Sequence, residues 1–179
     1  MLSFSFTFIR TRHTFPPMST NVPVPSQAKL PADARVAVVA ARFNAQIVDE
    51  LLAGCLRRLT ELGAQSQNVE VYRVPGAFEL PVAAKVAAQT KRFAAVICLG
   101  CVVRGDTPHF EYVAGEAARG IQDVAISEGL PVIFGVLTTN TEQQARDRTG
   151  GSHGHAGERA ADAAGEMIGV LSELRKRRG

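Results

Sequence analysis

Residues 94–113 read AAVICLGCVVRGDTPHFEYV, and this stretch decides the fold. Ala94 to Leu99 is a short, continuously apolar run of the kind that forms a strand buried on both faces of a parallel sheet. Gly100 reads as the turn that ends it. After Arg104-Gly105-Asp106, Thr107 is an N-cap candidate and Pro108 suits the first helical position, where its missing N–H costs nothing. Phe110, Val113, Ala114, Ala117, Ile121, Val124 and Ala125 then recur at the spacing of one buried helical stripe. That spacing puts His109 in the first turn of a helix, at the carboxyl end of a parallel strand. Free N–H groups there favour an anion such as phosphate, and an imidazole beside it can move protons.

The same alternation extends outward on both sides. Val36 to Ala41 is a buried strand, Asn44 an N-cap candidate, and Ile47, Leu51, Cys55, Leu59 and Leu62 mark a helix that stops at Gly63. Val69 to Val74 is a second strand, Pro75-Gly76 a turn, and Phe78 to Ala88 a helix with Pro81 in its first turn. Beyond Gly129, Pro131 to Leu137 is a fourth strand, followed by a short helix from Thr141 to Asp147 and a glycine-histidine loop over Gly150 to Gly157. A last helix carries Ala160, Ala163, Ala164, Met167, Ile168, Leu171 and Leu174 on one face. The expected fold class is α/β, a three-layer α/β/α sandwich around a four-stranded parallel sheet, flavodoxin-like. In such a sheet the loops after the strands line the binding crevice. Four of them carry distinctive residues: Arg42-Phe43-Asn44, Pro75 to Glu79, Val103 to His109, and Thr138-Thr139-Asn140.

Composition limits the alternatives. A chain of 179 residues with 46% hydrophobic content has one substantial core, and a formal charge of +3, part of it in the terminal Arg175-Lys176-Arg177-Arg178, requires no nucleic-acid partner. No apolar run approaches the ~20 residues that span a bilayer, so no membrane partner is expected. Cys55, Cys98 and Cys101 are too few for a disulfide framework and suit a reducing, cytoplasmic setting. Cys98 and Cys101 form a CxxC, but it ends a strand rather than opening a helix, and no cysteine-histidine spacing suits zinc, so neither redox chemistry nor a metal is expected. Residues 1–34 hold five prolines and no acid before Asp33; they are expected to be a disordered or misassigned leader, with Met18 as an alternative start, ahead of one domain over 35–179.

Four segments together resemble the lumazine synthase family: Ala41-Arg42-Phe43-Asn44, VPGAFELPVAAK at 74–85, GCVVRGDTPHFEYV at 100–113, and PVIFGVLTTNTEQQARDR at 131–148. The resemblance implies condensation of 5-amino-6-(D-ribitylamino)uracil with 3,4-dihydroxy-2-butanone 4-phosphate, without cofactor or metal, in riboflavin biosynthesis. By resemblance Phe43 stacks on the pyrimidine, Ala77, Phe78 and Glu79 contact it and its ribityl chain, and the backbone of Cys101, Val102 and Val103 reads the heterocycle edge. Phe134 is expected to reach the pocket from an adjacent subunit. Gly105, Asp106, Thr107 and Arg148 take the phosphate, and His109 transfers protons. The resemblance also implies a homo-oligomer, a pentamer and by expectation a sixty-subunit icosahedral capsid enclosing riboflavin synthase, with an N-terminal strand at Asn21 to Gln27 added to a neighbour's sheet. The alternative is a non-catalytic paralogue that binds lumazine or flavin or only forms a shell. One segment departs from the family pattern: Gly151-Ser152-His153-Gly154-His155-Ala156 stands where many members carry lysines and an asparagine. His153 or His155, when protonated, is a candidate substitute; an ordinary exposed glycine-histidine loop is the other reading.

Overall fold

The computed structural model describes residues 29–177. Strands β1 (Val36–Ala41), β2 (Val69–Val74), β3 (Ala95–Val103) and β4 (Val132–Thr139) form one parallel sheet in the order β2-β1-β3-β4. Helices α1 (Ala45–Glu61), α2 (Leu80–Gln89), α3 (His109–Glu128), α4 (Glu142–Arg146) and α5 (Ala156–Lys176) alternate with the strands or follow them. The expected flavodoxin-like α/β architecture is the observed one.

Because side chains alternate along a strand, each central strand feeds two cores. Val36, Val38 and Ala40 of β1 and Ile97, Leu99 and Cys101 of β3 pack with α1 and α5. Ala37 and Val39 of β1 and Val96 and Cys98 of β3 pack with α2 and α3. Both faces of the two central strands are therefore covered, which is why they read as unbroken apolar runs. The same period separates the CxxC: Cys98 lies in one core and Cys101 in the other, on opposite faces of the sheet. Burial pushes the Cys98 thiol up to about 12 and, as the larger cause, the Cys101 thiol up to about 11, so both are protonated thiols rather than thiolate nucleophiles.

Three local expectations need correction. Gly100 is not a turn. It lies inside β3, where a Cβ would meet Leu80 Cδ1 at 3.2 Å, Val136 Cγ1 at 3.4 Å and Ala77 Cβ at 3.5 Å, so the glycine admits close packing of α2 and β4 against the strand. Thr107 does not cap α3; Pro108 occupies the N-cap position and no side chain caps the helix. The loop over Gly150 to Gly157 contains a small antiparallel hairpin, β5 (Thr149–Gly151) and β6 (Gly154–His155), and Gly157 already lies inside α5.

Ahead of β1, Leu30 is buried and its N–H donates to the Leu62 carbonyl at 2.8 Å. Of the leader expected over 1–34, residues 29–34 are described, with Leu30 and Ala34 buried; residues 1–28, with the edge strand expected at Asn21 to Gln27, lie outside the described residues. Among the described residues no helix is long and apolar enough to cross a membrane.

Candidate functional site

In the order β2-β1-β3-β4, β1 and β3 are neighbours whose connections leave toward opposite faces, the arrangement at which open α/β sheets form a crevice at their carboxyl ends. A cavity of about 650 Å³ opens there. Its walls come from the loops after β1, β2 and β3 and from the start of α3.

The loop after β1 supplies Phe43, which is 71% exposed in the single chain. Its backbone N–H donates to the Pro75 carbonyl at 3.0 Å, and that of Arg42 to Val74 at 2.8 Å, so this loop is laced to the one after β2. Asn44 sits at the N-cap of α1 but does not cap it, which corrects the expectation from sequence. It takes a left-handed conformation, φ 55°, and its Nδ2 donates to the Cys101 carbonyl at 2.9 Å. The side chain thus ties the loop carrying Phe43 to the end of β3.

After β2, Ala77 to Glu79 form a 3-10 turn that leads into α2. Ala77 is buried, whereas Phe78 is 57% exposed toward the cavity it lines. Glu79 Oε2 accepts from the Gly76 N–H at 2.8 Å, so this carboxylate holds the turn as well as lining the cavity.

Strand β3 ends at Val103 beside the cavity, with Cys101, Val102 and Val103 on its wall. The Cys101 side chain packs in the core toward α1 and α5. Gly105 and Thr107 continue the wall, and His109 opens α3. Arg104 organises this corner: its Nε donates to Asn140 Oδ1 at 2.9 Å, its Nη1 to Glu111 Oε1 at 2.5 Å, and its guanidinium lies 4.2 Å from the Phe110 ring centre.

Not every expected residue is gathered. Asp106 lies in the same loop but does not line the cavity. Phe134 stands on edge strand β4, in register with Cys98, 42% exposed and outside the cavity. Arg148 follows α4, also outside it, with Nη1 donating to the Gln144 carbonyl at 2.7 Å. Pro75 and Gly76 line the cavity as part of the loop expected there, and Phe110, Tyr112 and Val113 line it without having been expected as site residues. Tyr112 was legible, since a residue three beyond His109 on a helix shares its face.

His155 is partly buried rather than exposed. Its imidazole is turned against Gly54 of α1, and burial, the larger cause, holds it below its ordinary value of 6.5. His153 is exposed, with its Nδ1 3.0 Å from Ser152 Oγ. A second cavity, about 620 Å³, lies at the amino ends of the strands, and most of its cations are already engaged. Arg35 and Arg92 bind Glu70, Lys91 binds Glu128, and Arg175 donates to the Gly129 carbonyl.

The sequence as a whole is similar to known proteins. The family model described as 6,7-dimethyl-8-ribityllumazine synthase matches residues 33–172. The 6,7-dimethyl-8-ribityllumazine synthase of Syntrophus aciditrophicus (strain SB) is 50% identical over 137 residues, covering 76% of this chain and 89% of the relative. Those of Coxiella burnetii (strain CbuG_Q212) and Xylella fastidiosa (strain 9a5c) are 46% and 47% identical, covering 78% and 80% of this chain and 93% and 94% of theirs. By the length of the family match and by these identities, the chain belongs to the 6,7-dimethyl-8-ribityllumazine synthase family, enzymes of riboflavin biosynthesis.

Proposed function

We propose that the cavity between Phe43 and His109 is where 5-amino-6-(D-ribitylamino)uracil condenses with 3,4-dihydroxy-2-butanone 4-phosphate. The observation that carries this is that one cavity is lined both by the aromatic rings of Phe43 and Phe78 and by Gly105, Thr107 and His109 at the start of α3. An aromatic wall suits a flat heterocycle, and N–H groups at a helix start suit a phosphate.

In this reading Phe43 stacks on the pyrimidine, Ala77, Phe78 and Glu79 hold it and its ribityl chain, and the backbone of Cys101, Val102 and Val103 reads the ring edge. Gly105, Asp106, Thr107 and Arg148 bind the phosphate. The amine of the pyrimidine attacks the ketone and water leaves to give an imine; inorganic phosphate departs; ring closure expels a second water. No electron changes hands, so the sequence of steps is balanced without a redox cofactor. Each step moves a proton, and His109, which lines the cavity, carries it in this reading. Departure of phosphate needs a fixed cation, and a guanidinium can give two parallel hydrogen bonds to it.

Phe134 and Arg148 lie outside this cavity in one chain, which supports a site completed by a neighbouring copy. Val82 and Val86 of α2 and Tyr112 and Ile126 of α3 are exposed apolar residues, and together with Phe134 they make the kind of surface that self-association covers. The assembly proposed is a pentamer and, from pentamers, a sixty-subunit particle in the cytoplasm that encloses riboflavin synthase.

Absorbance of the lumazine product, formed from the two substrates, tests the site. His109→Ala should lower kcat by up to roughly 10²-fold with both KM values largely kept, because proton transfer contributes while orientation of two reactants supplies the larger share. An unchanged kcat would remove His109 from the chemistry.

A further inference from the structure

We infer that His155, seated on Gly54, is a positioning residue whose flat ring sets where Arg148 stands; this rests on the reading of Arg148 as the phosphate ligand.

Arg148 lies between the end of α4 and β5, and its backbone carbonyl accepts from the Ala156 N–H at 2.7 Å. The residue after Arg148, Thr149, pairs with His155 across the hairpin. The Arg148 N–H donates to the Ala145 carbonyl at 3.0 Å, so the residue is held from α4 on one side and, on the other, through the Ala156 bond and the Thr149–His155 pairing, where the seat of His155 bears on the guanidinium's root.

What fixes His155 is a backbone surface. A Cβ on Gly54 would lie 2.1 Å from the imidazole Cε1, 2.4 Å from Nε2 and 2.6 Å from Nδ1, so the ring fills the space that any side chain at position 54 would claim. One turn earlier on α1, a Cβ on Gly157 would lie 2.0 Å from the Leu51 carbonyl oxygen, so the first turn of α5 rests on the same helix. The hairpin is pinned to α1 by these two close approaches. It is also tied to the end of α4, by the His153 N–H donating to the Asp147 carbonyl at 2.8 Å and by Gly151 lying close on the Asp147 backbone, and to its other neighbours by hydrogen bonds that include Thr149 Oγ1 with Glu50, Arg146 Nη2 to Gln46 Oε1 at 2.9 Å and Arg159 Nη1 to the His153 carbonyl at 3.1 Å. Such bonds tolerate displacement, whereas a ring against bare helix backbone does not.

The ring is not held by hydrogen bonding at its inner nitrogen, because Nδ1 is buried without a partner. Glu50 and Arg57 from α1 and Glu158 and Arg159 from α5 surround it with mixed charge. Packing, then, is what the imidazole contributes. His155 acts as a spacer of fixed thickness between α1 and the hairpin.

The test uses the full-length assembled protein and three variants, His155→Ala, Gly54→Ala and the double Gly54→Ala/His155→Ala, with Arg148→Ala beside them. Steady-state rates are measured against each substrate, inorganic phosphate serves as the phosphate-only inhibitor, and hydrogen exchange follows peptides covering 148–156. A misplacement of about an ångström costs up to roughly 10²-fold, so each single variant should raise KM for the phosphate substrate and Ki for phosphate by roughly tenfold, with KM for the pyrimidine within about twofold. Exchange at 148–156 should quicken in both single variants. The double variant, in which the added methyl takes up part of the lost ring volume, should recover part of both effects; this arm also covers Gly54→Ala failing to fold alone. If exchange and phosphate KM stay at wild-type values in His155→Ala while Arg148→Ala raises phosphate KM, the spacer role is overturned. If Arg148→Ala leaves phosphate KM unchanged, the phosphate reading fails instead, and exchange in His155→Ala alone decides the spacer.

Discussion

At the scale of single residues, several side chains in and around the cavity brace the segments that form it. Asn44 spends its amide on the Cys101 carbonyl, Glu79 braces the Gly76 N–H, and Arg104 joins the end of β3 to Asn140 and to the first turn of α3. These bonds explain how a cavity made of loops keeps its shape. Gly100 does the same by omission. A methyl there touches Leu80, Val136 and Ala77, of which only the Leu80 contact, at 3.2 Å, is tighter than ordinary packing and involves a side-chain end that can give. Gly100→Ala should therefore cost roughly 1 kcal/mol, at the low end of overpacking, while nudging cavity-lining Ala77 and raising KM for the pyrimidine more than for the phosphate substrate. Thermal denaturation and the two KM values check it, and an unaltered melting temperature would rule the packing argument out.

At the scale of elements, α5 illustrates how one residue type takes opposite roles along a helix. Gly157 meets the Leu51 carbonyl, which belongs to the α1 backbone and yields only if the helices separate. Gly169, in the same helix, is exposed, and a methyl added to it would meet nothing within 4 Å. Gly157→Ala should destabilise by roughly 3 kcal/mol or more, and Gly169→Ala should stabilise by roughly 0.5–1 kcal/mol through helix propensity. Urea unfolding of the two variants beside wild type measures both, and a shared sign would show that α1–α5 contact is looser than the geometry says.

At the scale of the whole molecule, the α2 and α3 side of the sheet leaves Val82, Val86, Tyr112 and Ile126 uncovered, together with Phe134 on the edge strand. Light scattering and ultracentrifugation should find a large closed particle rather than a single chain. A sharp pentamer that retains activity would overturn the sixty-subunit assembly and leave the site intact. An active monomer would overturn the shared site, because Phe134 and Arg148 would then have no route to the cavity.

The sequence by itself determined the element order, the parallel sheet and the loops that meet at its carboxyl end. Those features follow from local periodicity and from turn chemistry, as Val36 to Ala41, Ala94 to Leu99 and the His109 helix illustrate. Only the tertiary structure decided which face or neighbour each residue meets. Apolar periodicity reports that Gly100 lies near a boundary; the contacts of Leu80, Val136 and Ala77, from other elements, place it within the strand. Cys98 and Cys101 are three apart in the chain, yet the strand's two-residue period sends them into different cores. His155 reads from sequence as a candidate cation in an exposed loop, but Gly54, far earlier in the chain, gives its ring a partly buried seat, where desolvation disfavours the charged form. Such outcomes depend on approaches between segments distant in sequence, and spacing along the chain carries no record of them.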